Sequence, residues 1–298
     1  MSSSWLVIGA GGQFGSVTLR ELVRRGEQAM GVVSPRGPEP LVGETCRADI
    51  TDRDTTAAAV RALQPDTIIH AAAVTAIDVA FRDPGMARRV NVDATRQIVE
   101  LASETDARLV LISTDLVFDG RNPPYNEEST SRPLSVYGRT KADAEQVALG
   151  FKRALVVRLP LMYGLPAVPR ETPFTRLLAE LRRGVAVRLF ADEIRTAIGL
   201  ADAAQSVIRA ARSDLSGLLH IAGPEPLSRL DMGRIAARAL GYPETGIIPS
   251  RQADLAFPEP RPADVSLDCR RFVRRFGDQP GRPMAEVMVE IAAELRPR

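Results

Sequence analysis

Cysteine and histidine are scarce in this chain, with two of each among 298 residues. The cysteines, Cys46 and Cys269, are too few and too far apart for a fold that depends on disulfides. The histidines, His70 and His220, add no ligand spacing typical of a metal site. The composition therefore predicts a protein of a reducing compartment that holds no metal ion.

Long apolar runs and an excess of one charge sign are also absent. The first residues, MSSSWLVIGAGG, contain neither a basic segment nor an apolar run long enough for a signal peptide or a membrane span. The 39 basic and 37 acidic residues are spread along the chain, without the basic stripe typical of nucleic-acid binding. We therefore expect a soluble cytoplasmic protein whose partners are neither membranes nor nucleic acids.

Short apolar segments alternate with helical patterns through the first half of the chain. The expected strands are residues 5–10, 28–33, 46–50, 66–73, 108–114 and 154–159. Helices are expected at about 12–25, 51–64 and 84–105, and across 137–141. Strands that are apolar on both faces and alternate with helices are typical of a parallel sheet covered on both sides. The pattern predicts an α/β fold with a Rossmann-type doubly wound parallel sheet.

The second half of the chain is less regular, because proline-rich stretches at 166–173 and 258–262 interrupt it. We expect residues 1–160 to form the first domain, and residues 161–198 and 223–270 to form a smaller C-terminal lobe. Residues 199–222, with a core strand beginning near 218, are expected to pack back on the first domain. The same is expected of a final helix at about 283–295.

The segment GAGGQFG, residues 9–15, places glycines between an expected strand and an expected helix. Glycine lets the backbone turn tightly and approach a pyrophosphate, and the helix N-terminus supplies unpaired N–H groups. The position at the first strand of a βαβ unit makes the motif specific, whereas three glycines in an ordinary turn are the alternative. We therefore predict a dinucleotide-binding domain over residues 1–160. Its predicted cradle residues are Gly9, Gly12, Gln13, Phe14 and Gly15.

Residues at the ends of the second and third strands bear on the choice of dinucleotide. An NAD enzyme usually has an acid at the end of the second strand, where this chain has Ser34 and Arg36. A hydroxyl and a guanidinium suit a 2′-phosphate, so we predict NADPH, with NADH as the alternative. Asp49 and Ile50 are expected to contact the adenine ring, or otherwise to belong to a helix-capping region.

The segment SVYGRTK, residues 135–141, sets Tyr137 four positions before Lys141. On a helix these side chains share a face, and a lysine beside a tyrosine favours the phenolate. We therefore expect Lys141 to lower the pKa of Tyr137. Such a pair also arises by chance on a solvated helix, so the spacing alone does not decide.

Six segments of the chain together form a pattern of motifs. They are GAGGQFG (9–15), PDTIIHAAAVTAID (65–78), VNVDAT (90–95), STDLVFDG (113–120), RPLSVYGRTKADAE (132–145) and RLPLMYG (158–164). In this order they resemble the motifs of extended short-chain dehydrogenases/reductases, and most narrowly those of the dTDP-4-dehydrorhamnose reductase group. The resemblance covers most of the chain. It implies that Thr114, Tyr137 and Lys141 are catalytic, with Tyr137 as proton donor and Lys141 also on the nicotinamide ribose.

The resemblance also implies contacts with two ligands. The residues implied along the dinucleotide are Ala71, Ala72 and Ala73. The smaller lobe would bind the substrate, and the residues implied near it are Thr75, Ile77, Asp115 and Leu161. Two positions depart from the family: Leu161 stands where a tryptophan is usual, and Arg195 stands where a proline usually precedes the threonine.

The function implied by the resemblance is reduction of a nucleotide-linked 4-keto-6-deoxy sugar by NADPH. Dehydratases of the superfamily carry an acidic pair after the catalytic threonine, but here Asp115 is followed by Leu116. An epimerase that retains NAD stays open, because epimerases use the same Tyr/Lys pair. A third hypothesis is a non-catalytic regulatory subunit, like that of methionine adenosyltransferase. A homodimer is an open expectation.

Overall fold

Strands and helices alternate in the computed structural model, which describes residues 3–296. The strands are β1 Ser4–Ile8, β2 Gln28–Val33, β3 Glu44–Arg47, β4 Thr67–His70, β5 Arg108–Thr114, β6 Ala154–Leu159, β7 Met162–Tyr163, β8 Val187–Phe190, β9 Ile194–Arg195, β10 Ile198–Gly199, β11 Gly217–His220, β12 Leu227–Ser228 and β13 Ile247–Ser250. The helices are α1 Gln13–Arg24, α2 Arg53–Leu63, α3 Ile77–Arg82, α4 Pro84–Arg88, α5 Ala94–Glu104, α6 Val136–Leu149, α7 Pro173–Arg182, α8 Leu200–Ala211, α9 Arg229–Ala239, α10 Arg270–Phe276 and α11 Met284–Glu294. Across these residues, no helix combines the length and the apolar character needed to span a bilayer.

Seven strands form one central sheet in the order β11-β6-β5-β4-β1-β2-β3, and every neighbouring pair is parallel. The chain builds outward from β1 through β2 and β3, and then crosses to β4 on the other side of β1. Such a reversal opens a crevice at the carboxyl ends of the strands, where doubly wound sheets bind ligands. The predicted α/β Rossmann-type fold is confirmed.

Apolar side chains cover both faces of the sheet, as alternation along β1 illustrates. Val7 belongs to the core beneath α1 and α8, whereas Leu6 and Ile8 belong to the core beneath α2, α5 and α6. All five residues of β1 are buried. A strand that is buried on both faces has apolar residues at every position instead of alternating apolar and polar residues. Continuous apolar runs in the sequence therefore indicate parallel strands.

Four elements differ in extent from the prediction. The first strand, predicted at 5–10, ends at Ile8, because the chain turns at Gly9, whose φ is 94°. The third strand begins at Glu44 and ends at Arg47, so Asp49 lies beyond it. The fourth strand ends at His70, and the alanines that follow it leave the sheet as a loop. The helix predicted at 84–105 consists of α4 and α5 joined by a π-helical turn, Arg89–Asp93. Each difference changes the residue at which the chain leaves a strand or a helix.

The smaller lobe is built around β8, β13, α7 and α9, with a core of its own. Between the two halves, α8 packs on α1 and β11 joins the central sheet. The final helix was expected to pack on the first domain, and this is wrong. Helix α11 packs mainly on α9, and its Met284 and Met288 belong to the core of the smaller lobe. Its apolar face complements the face of α9, which local sequence cannot reveal.

Candidate active site

A cavity of about 620 Å³ opens at the carboxyl ends of the central strands and extends to the smaller lobe. Its wall contains the predicted residues Gly9, Gly12, Gln13, Phe14, Gly15, Ser34, Asp49, Ile50, Ala71, Ala72, Ala73, Thr75, Ile77, Thr114, Asp115, Tyr137, Lys141 and Leu161. Arg36 does not belong to this wall. It lies in a turn closed by a hydrogen bond from Gly37 N–H to the Ser34 carbonyl (2.9 Å), and its side chain is exposed.

The glycine-rich loop forms a cradle in the cavity wall. Gly9 has a φ of 94°, and a Cβ there would lie 2.6 Å from the Ala72 nitrogen. Both conditions require glycine. Helix α1 begins after Gly12 without a side-chain cap, so no capping side chain occupies the N–H groups of its first turn, which belongs to the cavity wall. This cradle fits the phosphates of a dinucleotide, because backbone N–H groups and the helix dipole favour an anion.

The predicted catalytic side chains all belong to the wall of this cavity. Thr114 is the last residue of β5, and Tyr137 and Lys141 lie one turn apart on α6. Ser135 caps α6 by accepting a hydrogen bond from Gly138 N–H (3.1 Å), which fixes the start of the helix. The Lys141 ammonium donates to the Ile112 carbonyl at 2.7 Å, two residues before Thr114 on the same strand. Strand β5 and helix α6 therefore set the three side chains together.

Burial dominates the ionisation of the pair. Desolvation raises the pKa of the Tyr137 phenol; the Thr114 hydroxyl opposes this rise and the Asp115 carboxylate adds to it. The expectation that Lys141 lowers the pKa of Tyr137 is therefore wrong in this state of the molecule. Desolvation also lowers the pKa of Lys141 to about 8, against the opposing charge of Glu145. At neutral pH Tyr137 keeps its proton and Lys141 its charge.

A buried polar network lies directly behind Lys141. Glu145, one further turn along α6, forms a bidentate ion pair with Arg158 of β6, at 2.6 and 2.9 Å. Ser113 donates to the same carboxylate at 2.5 Å. The two charged side chains are 1% and 3% exposed, so water screens the pair very little. The sequence motifs did not reveal this network, although the four-residue spacing of Tyr137, Lys141 and Glu145 places the three side chains on one face of α6.

A second buried pair in the cavity wall is Asp115 with Arg195. Asp115 accepts a hydrogen bond from the Thr114 hydroxyl at 3.1 Å, and its other oxygen lies 3.6 Å from Arg195 Nε. The Arg195 guanidinium also donates to the carbonyls of Ile194 (2.6 Å) and Ala263 (3.2 Å). Desolvation raises the pKa of Asp115 to about 6, although Arg195 opposes the rise. The side chain that departs from the family at position 195 therefore becomes part of the site.

Further wall residues were not found from the sequence. Among them are the polar and charged residues Arg170, Glu171, Thr172, Glu193 and Arg261. These residues come from distant parts of the second half, where no motif indicated them. Within residues 3–296 no group of three or more histidine, cysteine, aspartate or glutamate side chains could hold a metal ion.

The parallel sheet and the cavity at its carboxyl edge define a Rossmann-type α/β protein. The family model described as RmlD substrate binding domain matches residues 3–296, so the chain belongs to that family. The predicted membership of the extended short-chain dehydrogenases/reductases, in the dTDP-4-dehydrorhamnose reductase group, is thereby confirmed.

Individual relatives are similar in sequence, and one solved structure shares the fold. A probable dTDP-4,6-dihydroxy-2-methyloxan-3-one 4-ketoreductase of Streptomyces antibioticus is 32% identical over 264 residues, covering 87% of this chain and 84% of the relative. The methionine adenosyltransferase 2 subunit beta of Danio rerio is 28% identical over 275 residues, covering 90% and 83%. A crystal structure of dTDP-4-dehydrorhamnose reductase from Bacillus anthracis in complex with NADP superposes with a TM-score of 0.87 at 21% identity, covering 99% and 100%.

Proposed function

We propose that this protein reduces a nucleotide-linked 4-keto-6-deoxy sugar with NADPH. The observation that carries the proposal is the meeting of Thr114, Tyr137 and Lys141 in one cavity with the glycine cradle. The relative from Streptomyces antibioticus, named as a probable ketoreductase of a dTDP-linked sugar, supports the substrate class. The intact set of three side chains favours an enzyme over a binding protein.

The side chains of this protein orient the ketone of the substrate and supply a proton. A bound nicotinamide dinucleotide supplies the hydride. In the reaction the Thr114 hydroxyl turns its proton from Asp115 Oδ1 to the ketone oxygen. Tyr137 donates its proton to that oxygen as negative charge develops. Burial keeps the Tyr137 proton in place before reaction. The buried Lys141 charge, anchored on the Ile112 carbonyl, stabilises the tyrosinate that proton donation leaves behind.

The choice of NADPH rests on the end of β2. Ser34 lies in the cavity wall at the end of β2, where this chain has no carboxylate to bind a ribose 2′-hydroxyl. Arg36 is exposed two residues further on, and we propose that it turns toward the phosphate when the dinucleotide binds. NADH is the alternative that direct comparison of the two affinities tests.

One specific observation favours a second candidate function. The relatives named as methionine adenosyltransferase 2 subunit beta cover 90% of this chain, so a regulatory role through a partner enzyme is the alternative. Reduction of any 4-keto nucleotide sugar would separate the two. If the protein is an epimerase, the purified protein should retain NAD tightly, whereas a reductase should exchange its cofactor.

The test is NADPH oxidation measured across a panel of 4-keto nucleotide sugars, with Tyr137→Phe as the inactive variant. Loss of a positioned general acid lowers turnover ~10²–10⁴-fold, with cofactor affinity little changed. Tyr163→Phe is the matched control, because Tyr163 is a buried tyrosine outside the cavity wall. Near-normal turnover by Tyr137→Phe would exclude this residue as the proton donor. No turnover by the wild-type protein, with a stable partner complex, would favour the regulatory role.

A further inference from the structure

The N-terminus of the catalytic helix α6 is held by a residue from a distant part of the chain. The first N–H groups of a helix have no partner within it. In α6, the Ser135 hydroxyl accepts from Gly138 N–H at 3.1 Å. The Glu259 carboxylate accepts from Val136 N–H at 2.8 Å, although it lies 123 residues further along the chain. Since Tyr137 directly follows Val136, the position of the tyrosine depends on this end of the helix.

The Glu259 carboxylate is buried, and a second contact fixes it on the same helix. Its side chain is 6% exposed, and Arg139 of α6 donates to the same oxygen, Oε1, at 2.9 Å. The Arg139 guanidinium also donates to the Leu134 carbonyl at 3.1 Å, just before the helix begins. The helix dipole further stabilises a negative charge at this end. Glu259 therefore binds the first turn of α6 through one backbone and one side-chain contact.

The loop that carries Glu259 also forms part of the cavity wall. Arg261 and Pro262 of this loop both line the cavity. One residue further on, the Ala263 carbonyl accepts from Ile194 N–H of β9 at 2.7 Å. The loop is therefore bound to α6 at Glu259 and to β9 at Ala263, and the two wall residues lie between these points in the chain.

We propose that Glu259 is a positioning residue, which holds this loop against the N-terminus of α6 and thereby sets the Tyr137 phenol relative to the substrate ketone. The inference rests on the proposed reductase function and adds a residue to it. Glu259 lies outside the cavity wall, so it acts through the helix and not on the substrate itself. The glycine cradle and the contact of Lys141 with the Ile112 carbonyl do not involve Glu259, so binding of NADPH should not depend on it.

The test is steady-state reduction of a 4-keto-6-deoxy nucleotide sugar by Glu259→Ala in ordinary and in heavy water. A misplacement of about 1 Å costs on the order of 10²-fold in rate, so kcat should fall roughly 10- to 100-fold. NADPH affinity, measured by titration, should stay unchanged. Because proton donation by Tyr137 then limits turnover more strongly, the ratio of kcat in ordinary to heavy water should rise above the wild-type ratio. A merely structural defect lowers the fraction of active molecules and leaves this solvent ratio unchanged.

Asp202→Ala is the matched control. Asp202 is likewise a buried carboxylate that accepts from a backbone N–H, that of Arg282 at 2.9 Å, and pairs with the side chain of the same arginine. Its side chain is 7% exposed, and it lies outside the wall of the catalytic cavity. This variant should lose stability but keep the wild-type solvent ratio and the wild-type kcat per folded molecule.

A second variant, Glu259→Gln, keeps the shape and an acceptor for Val136 N–H without the charge that pairs with Arg139. Its kcat should lie between those of the wild type and Glu259→Ala. If Glu259→Ala does not fold, a wild-type kcat and solvent ratio in Glu259→Gln would overturn the inference.

Three results for Glu259→Ala would overturn the inference and leave the reductase function standing. They are a wild-type kcat, a reduced kcat with an unchanged solvent ratio, and a loss of NADPH affinity as large as the loss of kcat. Absence of turnover by the wild-type protein would refute the reductase function and this inference with it.

Discussion

Replacing Glu145 by glutamine should destabilise this protein far more than a surface charge change does. Glutamine keeps the shape and an acceptor for Ser113, but it leaves the Arg158 guanidinium buried without a counter-charge. Removing one member of a buried ion pair costs about 3–5 kcal/mol. For a chain of this size each kcal/mol lowers Tm by about 2 °C, so a decrease of about 6–10 °C is expected.

The assay combines thermal scans with urea unfolding of Glu145→Gln, Arg158→Met and the double variant. Asp278→Asn is the control, because it breaks the Arg209–Asp278 pair, whose side chains are 44% and 61% exposed. Such an exposed pair contributes about 0–1 kcal/mol. The double variant should be more stable than the sum of the single changes predicts, since neither charge is then left alone. Equal losses in Glu145→Gln and Asp278→Asn, or strict additivity, would show that the buried pair is not coupled as its geometry indicates.

Three further predictions concern the cavity. Burial lowers the pKa of Lys141 to about 8, so the lysine loses its charge as the pH rises through that value. We therefore expect kcat/KM to fall above about pH 8. A pH profile of kcat/KM that is flat to pH 10 would contradict this role of Lys141. Arg36→Ala should weaken NADPH binding about 10- to 150-fold and spare NADH, as expected for a charge-assisted contact, whereas equal losses in two titrations would leave Arg36 as a solvated residue. Leu161→Trp should shift relative kcat/KM toward the plain 4-keto-6-deoxy sugar and away from bulkier sugars, in a graded way worth about 1–3 kcal/mol, while a uniform slowing would show that Leu161 does not contact the sugar.

Features that depend on local pattern were determined by the sequence itself. Strands β5 and β6 span the predicted residues, 108–114 and 154–159, because a buried parallel strand is a continuous apolar run. The glycine cradle could also be predicted from the sequence. Gly9 has a positive φ, and glycine is the residue that adopts such a backbone conformation without strain. The proximity of Tyr137 and Lys141 on one helix face follows from their four-residue spacing and the helical period.

Features that depend on contacts between distant residues were decided only by the tertiary structure. The proximity of Asp115 to Arg195, and of Glu145 to Arg158, requires loops and strands that fold together from separate parts of the chain. The docking of α11 on α9 depends on two complementary apolar faces, each of which could also cover another surface. The pKa of Tyr137 was predicted in the wrong direction because the neighbouring lysine is visible in the sequence, whereas the exclusion of water around the phenol is not. Desolvation is a property of the packed interior, and only the folded chain determines it.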